Sequence, residues 1–158
     1  PHAKRGLDIV SWKMEPMVLA LPPRHPLAES HPLELRIPLQ QLDGLAFVHF
    51  CRDLVIHREI DRFMRAHNIS VDVVLEFDNV EAIKRAVEAG AGIAILPRPL
   101  LADEAERGSI AVREWEGEPF FRPLALVHRH GKIFDPGVSA FMEGLCRHES
   151  KSEQKAVS

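Results

Sequence analysis

The chain has 158 residues, 46% of them hydrophobic and 27% charged, with a formal net charge of -3. That size suits one domain or two small lobes of soluble, globular composition, and the slightly acidic balance argues against a nucleic-acid-binding surface on this chain itself, which needs a basic footprint. The two cysteines, Cys51 and Cys146, lie too far apart for a disulfide framework and suit a reducing cytosol, and no apolar run reaches the roughly 18 residues of a membrane span.

The start, Pro1-His2-Ala3-Lys4-Arg5-Gly6, has basic residues but no apolar signal core behind them and no initiator Met. It reads as a chain that was processed or that belongs to something longer. Residues 17–21 (MVLAL) form a continuous apolar run, the pattern of a strand buried on both faces. Pro22, Pro23 and Pro26 stop it, and Pro32 and Pro38 keep the next stretch irregular. Residues 45–50 (LAFVHF) predict a second strand, and a loop at Cys51, Arg52 and Asp53 leads into a helix over 54–67. Its apolar positions Ile56, Ile60, Phe63 and Met64 make one stripe, and Arg58, Asp61, Arg62 and Arg65 read as its solvated face.

Residues 71–97 are the most informative stretch. A β-branched run over 71–77 meets a helix start at Asp78 or Asn79, with Glu81 placed as in a capping box. Val80, Ile83 and Val87 mark the helix, Gly90 ends it, and residues 93–96 (IAIL) predict another strand closed by Pro97. Strand, helix and strand with short connections make a βαβ unit, and open sheets of parallel strands take ligands at the strands' carboxyl ends. Residues 100–107 predict a short helix, 110–113 an edge strand and 123–128 a further apolar strand. Asp135-Pro136 opens a last helix striped by Val138, Phe141, Met142 and Leu145, and from His148 onward the tail is polar and irregular.

The chemistry-bearing residues narrow the function classes. Gly90 and Gly92 follow a helix and precede a strand, the reverse of a phosphate loop, so they serve as a helix stop and a close backbone approach. His128 and His130 share a strand face, but without further ligands at matching spacing they predict no metal site. His57 and His67 read as exposed helix positions and His25 as part of a turn. Cys51, between a strand and a helix N-terminus, would have its thiol pKa lowered there. No nucleophile elbow, zincin or kinase signature occurs, so the residues predict neither an enzyme nor a cofactor.

Several segments in order then resemble one family. Glu15-Pro16-Met17-Val18-Leu19-Ala20-Leu21-Pro22 followed by His25-Pro26-Leu27-Ala28 resembles a passage of LysR-type transcriptional regulators. Residues 42–50 are similar to their next strand, and 76–97, with Ala89-Gly90-Ala91-Gly92-Ile93 and the closing Leu96-Pro97, to their "A-G-x-G-I-x-x-L-P" passage. Residues 121–127 and 141–145 resemble their closing strand and helix, so the likeness covers about 6–145.

That resemblance implies an α/β effector domain with the two-lobed fold of type 2 periplasmic binding proteins and mostly parallel sheets. Lobe II would span 26–119, and an incomplete lobe I would combine 1–25 with 120–148, leaving 149–158 as a disordered tail. The family's N-terminal winged helix-turn-helix would be absent, and the uncovered sheet edges would seek a partner. The resemblance places a pocket between the lobes, faced by His49, Phe50, Cys51 and Arg52, by Asn79, and by Gly92 and Ile93, with His128 as a further candidate. Free N–H groups at two helix N-termini, with Arg52 beside them, suit a carboxylate or other anion. The function implied is a cytoplasmic sensor in a dimer or tetramer that contacts DNA only through the absent domain. Effector binding would shift the population of conformations and so transcription. The alternatives are a solute-binding protein of a transport system, which predicts a signal peptide, and an enzyme on related lobes, which predicts a cluster of acid, base and nucleophile.

Overall fold

In the computed structural model, the two apolar runs that bracket the central helix are not neighbours in the sheet. The structure describes residues 6–29 and 36–155, with side chains as far as residue 145. The strand at Asp72–Phe77 (β4) pairs in parallel with Ala46–Phe50 (β3), and Ala94–Pro97 (β5) lies on the other side of β3. The helix Val55–Ala66 (α2) connects β3 to β4, and Val80–Glu88 (α3) returns from β4 across β3 to β5. Each crossover therefore carries the chain between parallel strands.

The long strand Leu7–Leu21 (β1) contributes its buried end, Met17 to Leu21, to this sheet. It pairs antiparallel with β5 and with Ala111–Trp115 (β6), and β6 pairs in parallel with the short strand Arg36–Ile37 (β2). Since β1 opposes both β5 and β6, the order β4-β3-β5-β1-β6-β2 has five strands running one way and β1 against them. β6 is therefore internal, not the edge strand its short run suggested. The join between β3 and β5 is a single bridge, Phe47 to Ile93, made by Ile93 N–H on Ala46 O (2.9 Å) and Val48 N–H on Ile93 O (2.8 Å). Gly92 permits it, because a Cβ there would stand 2.6 Å from the Ala46 carbonyl oxygen.

The helices follow their stripes. Ile60 and Met64 of α2 and Ile83 and Val87 of α3 are buried with Phe47, Leu19, Ile93 and Ile95. Each such side chain contributes about 1.5–3 kcal/mol of transfer free energy. Asn79 caps α3 by accepting Ala82 N–H, so the expected Asp78–Glu81 capping box does not form. Gly90 has φ +81°, the left-handed conformation its place after the helix requires. The remaining short elements are the helices Pro26–Glu29 (α1) and Ala102–Arg107 (α4) and 3-10 turns at Leu39–Leu42 and Arg98–Leu101.

The chain divides into two compact units, Pro16–Phe121 and the pair of segments Pro1–Glu15 and Arg122–Ser158. Residues 16–25 thus fall in the larger unit and not with residues 1–15, because Met17 to Ala20 are held there by β5. In the smaller unit Phe121–Arg129 (β7) pairs with β1 and alternates exposed and half-buried residues. Glu15 is buried there between Lys13 and Arg122, which outweigh its burial and keep its carboxyl below the ordinary range. Pro136–Lys155 (α5) opens with Asp135 accepting Gly137 and Val138 N–H, as Asp-Pro implies. It runs beyond His148, where Glu, Lys and Gln are good helix formers despite the polar composition. Pro32 lies outside the described residues, as do residues 156–158 of the expected tail. No helix among the described residues is long and apolar enough to cross a membrane.

Candidate functional site

Parallel strands bring their carboxyl ends to one side, and in the larger unit that side carries the turn after β3 and the turn after β4. The two turns are tied together, since Cys51 N–H donates to Phe77 O (2.9 Å) and Arg52 Nε donates to Glu76 Oε1 (3.0 Å). Leu54 N–H closes the first turn onto Cys51 O, and α2 begins with no side chain capping its first turn. At α3 the cap position is taken, because Asn79 Oδ1 already holds Ala82 N–H while its Nδ2 donates to Asp78 Oδ1 (2.8 Å). The rim is thus an open helix start at α2, a capped one at α3, and an exposed guanidinium between them.

Its electrostatics are mixed. Arg52 is 80% exposed at its side chain and its charge is reinforced by Glu76. Burial first, then Asp53, Asp78 and Glu76, push the Cys51 thiol above its ordinary value. This corrects the expectation of a lowered thiol pKa: burial, with three carboxylates behind it, outweighs the partial charge of the helix start. Cys51 is therefore held as the neutral thiol at pH 7.

The predicted site residues separate into groups. Cys51, Arg52 and Asn79 come together at the rim, with the Phe50 backbone beneath them. The side chains of His49 (1% exposed) and Phe50 (4%) turn into the interior instead. Gly92 and Ile93 lie at the opposite end of the strands, because Ile93 registers with Phe47 and its N–H and carbonyl are both used by β3. The Ile93 side chain is fully buried. His128 belongs to the smaller unit, where it packs edge-on against Phe134 and lies 3.7 Å from Asp8.

Three residues behind the rim escaped the sequence reading as a group. His57, expected on the exposed face of α2, is only 9% exposed, because its Nδ1 donates to Phe50 O (2.7 Å). It stacks on His49, and both rings meet Asp61. His67 is half-buried rather than exposed, with Nδ1 on Phe63 O. The signal for the first group was the i, i+4 spacing of His57 and Asp61 on one helix face, with His49 one residue before the end of β3. Two cavities of the larger unit, about 190 and 390 Å³, lie among β1, β2 and β6 residues and around α4, and neither is lined by a rim residue.

Against this geometry stand the comparisons with known proteins. The sequence profile described as the LysR substrate binding domain matches residues 1–149. A RuBisCO operon transcriptional regulator of Allochromatium vinosum is 30% identical over 143 residues, covering 90% of this chain and 46% of that protein. The HTH-type transcriptional activator CmpR of Synechocystis is 26% identical, covering 94% of this chain and 48% of its own length. The chain therefore spans about half the length of the curated relatives it matches. Among solved structures, the regulatory domain of CcmR from Synechocystis in complex with 2-PG superposes with a TM-score of 0.78 at 24% identity, over 93% of this chain and 69% of that one. The effector binding domain of QuiR in complex with shikimate gives 0.78 at 18% identity, over 96% and 69%. At these identities the two structures establish the fold, that of type 2 periplasmic binding proteins.

Proposed function

The chain belongs to the LysR substrate binding domain family, and from that premise we propose that it is the small-molecule-sensing domain of a LysR-type transcriptional regulator. Its effector, a carboxylate or related anion, is held at the rim of the larger unit by Arg52, Asn79 and the main-chain N–H groups that open α2. The observation that carries this reading is the start of α2, which no side chain caps and which follows the carboxyl end of β3. Its free donors and the positive end of the helix stand where open α/β sheets bind ligands. Shikimate and 2-PG, named for two structural relatives, carry the kind of anionic group such donors hold. Gly92, Ile93 and His128 act elsewhere, in strand joining and in the smaller unit.

In the whole protein, which would be a cytoplasmic homo-oligomer, the effector favours one conformation by its differential affinity and so biases a DNA-binding domain outside this chain. The chain senses and does not catalyse. A thermal-shift series with shikimate, 2-PG and sulfate tests the site. A ligand at 100 times its Kd adds about 2.7 kcal/mol of stability, and Arg52→Ala should weaken that response about tenfold, the loss of a charge-assisted hydrogen bond. A cooperative melt that none of the three anions moves, or one that Arg52→Ala leaves equally responsive, refutes the assignment.

A further inference from the structure

Arg52, the guanidinium of the rim, already carries a carboxylate. In the parallel register of β3 and β4, Glu76 stands beside His49 and Phe77 beside Phe50. Side chains alternate along a strand, so Glu76 rises on the sheet face that His49 shares with His57 and Asp61 of α2. That face leads to the turn before α2, where Glu76 Oε1 accepts from Arg52 Nε at 3.0 Å. Asp61 acts on the Arg52 charge only through space. Asp53 and Asp78 act on the same turn, at the Cys51 thiol, but among the described residues Glu76 alone is paired with Arg52.

A carboxylate on a guanidinium is the contact that an effector anion would make there. Glu76 therefore stands in the place of the effector's own carboxylate. The rim does not depend on this side-chain tie, because Cys51 N–H donates to Phe77 O (2.9 Å) and joins the two turns through the backbone. The contact is also easily exchanged. Arg52 is largely exposed and Glu76 partly so, and water and salt weaken a pair in that setting.

We infer that Glu76 is a specificity-determining residue of the rim: it occupies Arg52 as an internal ligand, and an effector must displace it. An anion that offers charge alone exchanges one carboxylate for another at Arg52 and gains little. A ligand that also reaches the free N–H groups at the start of α2 gains donors that Glu76 does not use. Glu76 thus selects ligands by their reach and leaves Arg52 paired in their absence. This deepens the rim assignment and rests on it. It also predicts the opposite of a merely structural role. Removing a contact that props the turn weakens binding, whereas removing an occupant strengthens it.

The test is titration of the 158-residue chain with shikimate and with sulfate at constant ionic strength, read by thermal shift and by the Arg52 Nε–H signal in 15N NMR. Without ligand, that signal should move in Glu76→Gln, whose neutral amide is the weaker acceptor. Glu76→Gln should bind both anions about two- to fivefold more tightly, the scale of a solvent-exposed ion pair. Asp53→Asn removes the same charge from the same turn without touching Arg52, and should gain less than Glu76→Gln does. An Arg52 signal that Glu76→Gln leaves unmoved overturns the inference whether or not an anion binds. So does binding by Glu76→Gln that is equal to or weaker than the parent's, or an equal gain in Asp53→Asn. In those cases the rim assignment stands as long as Arg52→Ala weakens binding to the parent. Where neither anion binds the parent or Glu76→Gln, the rim assignment falls and this inference with it.

Discussion

Replacing Gly92 with alanine tests the single bridge that joins β4 and β3 to the rest of the larger unit's sheet. A Cβ at that position would sit 2.6 Å from Ala46 O, 2.9 Å from Ala46 C and 3.2 Å from Phe47 N. All three are backbone atoms, so no side chain can rotate away. The φ of Gly92 is not in the left-handed region, so alanine's own backbone preference costs nothing and the clash alone decides. Ordinary contact begins near 3.4 Å, so the strands must part by about 0.8 Å. That carries both bridge hydrogen bonds, now 2.9 and 2.8 Å, to or past the limit of hydrogen bonding. Losing them costs about 0.5–1.5 kcal/mol each, and the residual overpacking roughly 1–3 kcal/mol. The expected loss is on the order of 2–6 kcal/mol, or roughly 4–24 °C in Tm for a domain near this size. Urea unfolding followed by the buried Trp115, in a Trp12→Phe background, measures it. Gly90→Ala is the control, because nothing lies within 4 Å of its Cβ and only its φ of +81° is at stake. That conformation costs a non-glycine residue about 1–2 kcal/mol. A Gly92→Ala variant within about 0.5 kcal/mol of the parent, the ordinary scatter of harmless substitutions, or no worse than Gly90→Ala, would refute the strand-joining role.

Lys84 is buried between Glu104 (3.0 Å) and Glu81 (2.8 Å) and donates to Leu100 O. Lys84→Met leaves buried Glu104 with only Arg107 and should cost about 3 kcal/mol in urea unfolding at pH 7. Burial raises the Glu104 pKa, but Lys84 and Arg107 lower it more, so its folded value lies below the ordinary 4.5. A depressed carboxyl stabilises above its unfolded pKa and loses that contribution as pH falls through the folded one. The gap between parent and variant should therefore narrow as pH drops below 4.5, and a gap independent of pH would show that Lys84 acts by packing alone. Asn79→Ala should cost about 1 kcal/mol through the lost cap of α3, Asn79→Asp should retain most of it, and Asp78→Ala should stay within about 0.5 kcal/mol. A larger effect at Asp78 than at Asn79 would restore the capping box that the geometry denies.

The elements that one period describes were legible in the sequence. The stripes of α2 and α3 and the Gly90 stop belong to residues whose local preference and final environment agree, while the β-branched run forms β4 although Val73, Val74 and Leu75 are exposed. Strand order was not legible, because it depends on which crossover passes over which strand. So β3 inserts between β4 and β5, and a short run such as Ala111–Trp115 becomes an internal strand between β1 and β2. For the same reason Gly92 was readable as a close approach but not placed: its partner, Ala46, is distant in sequence, and the register carries it to the end of the sheet away from Asn79. His57 was misread for a different cause. Polar residues on a helix are assigned to solvent by pattern, and only the carbonyl at the end of β3, supplied by the tertiary fold, gives this one a reason to be inside.

The charge at the rim bears on how an anion could be held there. Asp53, Glu76 and Asp78 surround the turn, and Glu76 already holds Arg52 at 3.0 Å, so an incoming carboxylate must compete. The Arg52 side chain is 80% exposed, however, and Glu76 28%. Such a pair contributes about 0–1 kcal/mol net, because water and salt screen it. Hydrogen bonds to charged groups contribute about 1.5–3 kcal/mol each, and the uncapped start of α2 adds main-chain donors that Glu76 does not use. Exchange of Glu76 for an effector carboxylate at Arg52 is therefore downhill for a ligand that also reaches those donors. It is close to neutral for one that does not, which makes geometry at the helix start, rather than charge, the basis of selection. The displaced Glu76 moves toward water and loses little, while Asp53 and Asp78 repel a second negative group. If the proposed site is correct, shikimate, with its single carboxylate, should therefore stabilise the chain more than sulfate in the thermal-shift series.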